Sequence, residues 1–238
     1  MIIAEPTTWI LPAIGLGACA LWPFRRTAKA PGSTGANLGA GEPGTTHRTA
    51  SDENLDRGIR LGMLGHLERA SESFRSAVEA DPTSACAHYN LALALDLMGR
   101  QREAREHYQT ATELRPDSFE AQVNFGVLLC MLGETGAAAE RFRAAISVNP
   151  HDPTAYFNLG CCYLDEGEHR KAAEAFRDSV SADPADAMTR FNLAVALRRA
   201  GCADLAEAEL RAFLELAGAR YPEHRAYVQA VLADHYGG

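Results

Sequence analysis

Five glycines, Gly65, Gly99, Gly133, Gly167 and Gly201, stand 34 residues apart, and Pro82, Pro116, Pro150 and Pro184 keep the same interval. Two residue types holding one register over so many periods leave little choice of architecture, because a fixed period of this length means copies of one supersecondary unit. With the register started at Ser51, the copies span 51–84, 85–118, 119–152, 153–186 and 187–220. In each, an apolar stretch with helical spacing precedes the glycine and a second follows it, as with Leu91, Leu95 and Met98, then Ala104, Tyr108 and Ala111. The glycine supplies a left-handed turn that ends the first helix, and the proline cannot continue the second. Each copy is predicted to be a helical hairpin.

How the hairpin closes is written in its small residues. Gly58, Ala92, Gly126, Gly160 and Ala194 share one position of the first helix, and Ala70, Ala104, Ala138, Ala172 and Ala206 share one of the second. Glycine inside a helix costs about 1 kcal/mol relative to alanine, so its recurrence implies close helix approach. Phe74, Tyr108, Phe142, Phe176 and Leu210 are expected to fill the space towards the next copy. One hairpin cannot bury such a face alone, whereas five stacked copies make a core.

These residues resemble the tetratricopeptide repeat pattern, best seen in Leu159, Gly160, Tyr163, Ala172, Phe176 and Pro184 of the fourth copy. The resemblance covers 51–220 and implies an all-α, right-handed α-solenoid of five 34-residue helix-turn-helix repeats. The outer copies depart from it: Arg57 stands where the others have Leu91, Phe125, Leu159 and Leu193, and Gly218 replaces the closing proline. Residues 221–238 read as a capping helix opened by Pro222, with Tyr227, Val231 and Ala230 or Ala233 inward and His224, Arg225, Gln229 and Asp234 outward.

The first 50 residues have a different composition. Thr7 to Phe24 carries no charge, and Arg25, Arg26 and Lys29 follow it directly. Eighteen residues at 1.5 Å each reach the lower edge of what crosses a bilayer core of about 30 Å, and Trp9 and Trp22 bracket the run as interfacial aromatics do. Residues 1–24 are therefore expected to form an N-terminal hydrophobic helix, a single transmembrane anchor. Cations on its C-terminal side put the repeats in the cytoplasm. Two alternatives compete: a cleaved or lipoprotein signal with Cys19 as the acylated residue, which places the repeats on the periplasmic or exterior side like pilus- and secretin-assembly pilot lipoproteins, and a merely hydrophobic tail that docks on something. Residues 25–50, rich in Gly, Thr, Ala and Pro, read as a flexible linker with a reach on the order of 28 Å.

No catalytic set is visible. The eight histidines form no H-E-x-x-H, no serine sits in a G-x-S-x-G turn, and Gly15, Gly17 and Ala20 lack the strand a dinucleotide fingerprint needs. Asp165, Glu166, Glu168 and His169 read as a solvated turn, and the adjacent Cys161 and Cys162 as buried thiols, so neither a metal nor another cofactor is expected. Residues 51–238 carry 19 Lys and Arg against 29 Asp and Glu, the first 50 residues four against two, and the total charge is −8; this argues against nucleic acid as the partner.

The remaining pattern is a ladder, Asn90, Asn124, Asn158 and Asn192, again 34 apart. In the resembled family the first helices line a concave groove, and asparagines here often hydrogen-bond an extended peptide. With Tyr89, Leu93, Leu97, Val123, Val127, Met131, Phe157, Cys161, Phe191 and Val195 around them, they outline a groove for an apolar segment or amphipathic helix. Nearby cations are only Arg190, Arg198 and Arg199, a poor match to the family's carboxylate clamp. The expected function is a non-enzymatic interaction scaffold or adaptor tethered to a membrane, with homo-oligomerisation through the groove as a further option.

Overall fold

The computed structural model describes residues 48–236, which form two compact units, 48–132 and 133–236. The anchor, Cys19 and the linker as far as His47 lie outside the described residues. No helix among the described residues is long and apolar enough to cross a membrane.

The first unit holds five helices: α1 (Ala50–Met63), α2 (Leu67–Ala80), α3 (Ala85–Leu97), α4 (Gln101–Leu114) and α5 (Phe119–Met131). Helix α1 pairs with α2 and α3 with α4; α2 packs on α3 and α4 on α5, and the first helices α1, α3 and α5 touch in sequence. The second unit holds α6 (Thr135–Val148), α7 (Pro153–Asp165), α8 (His169–Ala182), α9 (Ala187–Arg199), α10 (Ala203–Ala217) and α11 (Pro222–Tyr236). Here each helix packs on the one that follows it.

The five glycines of the register all adopt positive φ, between 76° and 82°. At Gly99 the Arg100 N–H donates to the Leu95 carbonyl and the Gly99 N–H to that of Asp96, both at 2.9 Å. This Schellman motif satisfies carbonyls that the end of α3 would otherwise leave open. At the other end, Ser84, Ser118, Asp152 and Asp186, also 34 apart, cap α3, α5, α7 and α9 by accepting backbone N–H bonds in the first turn. The second helices of the hairpins have no side-chain cap, so their starts depend on the glycine turn just before them.

The small residues do what their register implies, with one difference. A Cβ on Gly160 would lie 2.7 Å from Cε1 and 2.8 Å from Cδ1 of Phe176, and one on Gly58 would collide with Phe74 in the same way. These aromatics therefore press first against the helix of their own hairpin, rather than only reaching towards the next copy. Tyr108 does both: it lies beside Tyr89 at 6.1 Å and stacks on Phe125 of the following copy at 6.1 Å and 22°. Arg57 is exposed, whereas Leu91, Phe125, Leu159 and Leu193 at the same position are buried.

Helix α11 turns Tyr227 and Val231 inward as expected, but His224, expected outward, is inward too, and Ala230 and Ala233 are exposed. His224, Tyr227, Val228 and Val231, spaced i, i+3, i+4, i+7, point inward. Val228 is fully buried, the rings of His224 and Tyr227 meet Phe191, and Arg225 donates to the Leu214 carbonyl at 3.1 Å. The two rings cover Phe191 edge-on, at 5.1 Å from His224 and 6.3 Å from Tyr227, a favourable aromatic arrangement.

Two glycine substitutions separate the two roles. Gly160→Ala is expected to destabilise the protein by about 1–3 kcal/mol through overpacking, and Phe176→Leu in the same chain recovers part of that loss. Gly167→Ala, where nothing lies within 4 Å, costs about 1 kcal/mol through its positive φ, and Phe176→Leu gives no recovery. Urea denaturation of the four variants measures the difference.

Candidate partner-binding face

The first helices α3 and α5 are apolar around most of their circumference: α3 contains a single charged residue, Asp96, and α5 only Glu120. One side of α3 faces α4 and its flanks face neighbouring first helices, so the remaining side exposes what hydropathy would bury. On α1 the row Leu55, Ile59, Met63 and on α3 the row Tyr89, Leu93, Leu97 recur at i, i+4, i+8 and are all partly exposed. Met63, Leu97 and Met131, one register position on three adjacent helices, are 67%, 52% and 50% exposed. In the second unit that position is Asp165 on α7 and Arg199 on α9. Above them Phe157 and Cys161 are buried, Phe191 is covered by α11, and Val195 is half-buried. The uncovered apolar surface of the first helices is thus concentrated in the first unit.

The asparagine ladder sits behind this surface. Asn90, Asn124 and Asn158 are buried and Asn192 is half-buried. The Asn90 Nδ2 donates to the Cys86 carbonyl at 2.8 Å and the Asn192 Nδ2 to that of Met188 at 3.0 Å, one turn back in each case. The Asn124 Nδ2 donates to the Tyr89 hydroxyl at 2.9 Å, which joins α5 to α3 and sets the tilt of the Tyr89 ring. The amides at 90, 124 and 192 spend a donor inside the protein, a use that the spacing alone does not distinguish from ligand contact. Of the remaining residues expected in the groove, Val123, Val127 and Phe157 are interior, Tyr89 and Leu93 lie partly at the surface, and Leu97 and Met131 lie on it.

A further ladder, not singled out by the sequence reading, ties first helices to the turns before them. His88 Nε2 lies 3.1 Å from the Pro82 carbonyl, Gln122 Nε2 donates to that of Pro116 at 3.0 Å, and Arg190 donates to that of Pro184 at 3.2 Å. The same register position thus ties the start of a first helix to the turn before it, with Tyr156 standing there in the fourth copy. The outer end of two of these side chains is also met from the second helix: His88 by His107 with 3.1 Å between the Nδ1 atoms, and Arg190 by Glu209 at 2.9 Å. Arg190 is therefore committed to the scaffold and not offered to a ligand carboxylate. The sequence signal was present, as His, Gln and Arg are all long donors six residues after the proline.

No group of three or more His, Cys, Asp and Glu suited to a metal exists among the described residues. Cys161 and Cys162 are buried, and none of Cys86, Cys130, Cys161, Cys162 and Cys202 is in a disulfide.

The tetratricopeptide repeat models match residues 85–118, 126–187 and 163–224, together more than half of the chain. The chain belongs to the tetratricopeptide repeat family. The crystal structure of MamA protein is similar at 25% identity with a TM-score of 0.67, over 73% of this chain and 95% of that one. YrrB, described as a TPR protein with an unusual peptide-binding site, is similar at 22% identity and a TM-score of 0.66, over 74% and 89%. The pilF protein of Pseudomonas aeruginosa is similar at 22% identity and a TM-score of 0.60, over 79% and 93%. No curated protein matches the chain in sequence. The family makes this a protein-interaction scaffold of a generally non-enzymatic kind, built of repeated helical hairpins.

The histidine pair gives the repeats a pH dependence. His88 is held between the two contacts already described, its Nε2 at the Pro82 carbonyl and its Nδ1 at that of His107. Burial first, and the neighbouring His88 second, hold the His107 pKa below its ordinary value; Arg75 acts in the same direction, while Glu106 and Glu103 oppose it. Burial likewise lowers His224, against Glu223. A histidine with a depressed native pKa binds protons more readily when unfolded, so its contribution is whole above about pH 6.5 and falls as pH drops below that. The urea midpoint is expected to fall between pH 7.5 and 5, and His107→Gln, which keeps a donor towards His88, is expected to flatten that fall.

Proposed function

We propose that this protein is a membrane-tethered adaptor that holds a partner's apolar segment or amphipathic helix against the first helices of its repeats while a larger complex assembles. The observation that carries the reading is the uncovered apolar rows of α1 and α3, continued by Met131, on a fold whose family is an interaction scaffold. Large side chains left on the surface in a contiguous row mark interaction sites, and a helix laid into such a row anchors at i, i+3, i+4 and i+7. The tether is the uncharged run Thr7–Phe24, and Arg25, Arg26 and Lys29 after it place the repeats on the cytoplasmic side. The right-handed solenoid of the family, with α11 as its cap, gives the partner an extended inner surface. The −10 charge of residues 51–238 is expected to be repelled by anionic lipid, and the basic stretch after the anchor to be attracted to it. Cys19, preceded by Leu16, Gly17 and Ala18, supports a second reading as an exterior lipoprotein. Labelling with a palmitate analogue that disappears in Cys19→Ser selects that one.

Leu97→Glu with Met131→Glu, both at exposed positions, is expected to weaken capture of partner protein from detergent extract by about tenfold or more, the scale of losing a central apolar contact, while helicity and melting stay unchanged. Asn124→Ala is expected to do the reverse, lowering the melting temperature and leaving capture intact. Equal capture by the double glutamate variant and the parent chain rules out this face as the binding site.

A further inference from the structure

Among the described residues the first unit leaves an apolar row uncovered, and the sequence of the same chain carries an uncharged apolar run, Thr7–Phe24, ahead of it. Met63, Leu97 and Met131 each end a first helix, and those helices are neighbours. At about 10 Å between packed helices, the row runs about 20 Å. It stops where the register turns to Asp165 and Arg199. A helix about 13 residues long spans that distance at 1.5 Å per residue, and Thr7–Phe24 offers 18 residues without a charge.

The chain length between them fits. Helix α1 starts at Ala50, and the row begins at Met63, the far end of that 14-residue helix, about 21 Å away. The Gly-, Thr- and Pro-rich residues after Phe24 have a reach on the order of 28 Å. A tether whose r.m.s. length matches the span gives an effective concentration in the millimolar range, enough for even a weak apolar contact to form within one chain. We propose that, in the absence of a bilayer, Thr7–Phe24 docks on the Met63–Leu97–Met131 row of its own chain, and that insertion of the segment into a membrane uncovers the row. This rests on the reading of that row as the partner-binding face: the segment then acts as an occupant that membrane contact removes.

Cys19 lies inside the segment and is a ready probe. In the full chain carrying Leu97→Cys, with Cys86, Cys130 and Cys202 changed to Ser, a short bis-maleimide is expected to link Cys19 to position 97 within one chain, identified by peptide mass. Its yield is expected not to change on tenfold dilution, and to fall about fivefold or more when Met63→Glu and Met131→Glu remove the apolar row or when phosphatidylcholine vesicles are added. Adducts formed only between chains and lost on dilution would overturn the proposal in favour of a second copy as the occupant. Absence of any adduct, persistence of the adduct in the glutamate variants, or indifference to vesicles would each overturn it as well. Circular dichroism confirms that the variants are folded. No partner protein enters the measurement, so its failure is distinct from failure of the adaptor reading, which the capture experiment tests alone.

Discussion

Everything in the two units depends on how close two helices can come inside one hairpin. At Gly58 and Gly160 a ring carbon of Phe74 or Phe176 occupies the place where a Cβ would be. That contact holds the first helix against the second with no gap, and the buried alanines at 70, 104, 138, 172 and 206 keep the opposite wall low. The aromatic ring cannot move back, since Phe74, Tyr108 and Phe176 are themselves nearly or fully enclosed. Interiors packed to this density hold a single arrangement.

With the hairpin closed, the polar groups fall into line. Each first helix from α3 to α9 in the register starts on a Ser or Asp cap, and three of these helices send a long donor back to the carbonyl of the proline six residues before. Buried amides at 90 and 124 use their nitrogens in the same economical way. Such bonds are individually worth about 1 kcal/mol, and their value here is positional: they fix the angle at which one hairpin meets the next turn within each unit. The copies need not use identical chemistry for it. His88 with His107 and Arg190 with Glu209 occupy equivalent positions, one pair sensitive to mild acid and the other a half-buried ion pair.

The same geometry decides what is left for a partner. A first helix has three sides committed to neighbours, so an apolar helix such as α3 must leave Leu97 and part of Tyr89 and Leu93 to solvent unless something covers them. In the second unit the chain supplies that cover itself, through α11 on Phe191, or replaces the apolar residue by Asp165 or Arg199. Among the described residues the first unit does neither, and that asymmetry is the observation on which the proposed binding face rests.

The sequence by itself determined the hairpins, their glycine turns and their small-against-large packing, because a 34-residue period in Gly, Pro and Ala is a local signal that backbone sterics translate directly into helix ends and helix contacts. It also showed that Arg57 and Gly218 break the register at the outer copies. Only the tertiary structure decided which apolar residues are core and which are surface. Val127 and Met131 are equally apolar and one turn apart, yet one is enclosed and the other half-exposed, since exposure depends on where the neighbouring helix ends and not on the residue. The asparagines changed meaning for the same reason: periodicity marks them as special, but only the position of the Cys86 and Met188 carbonyls and the Tyr89 hydroxyl reveals that their amides serve the scaffold. Likewise α11 turns His224 and Val228 inward, with the His224 ring against that of Phe191, far away in sequence.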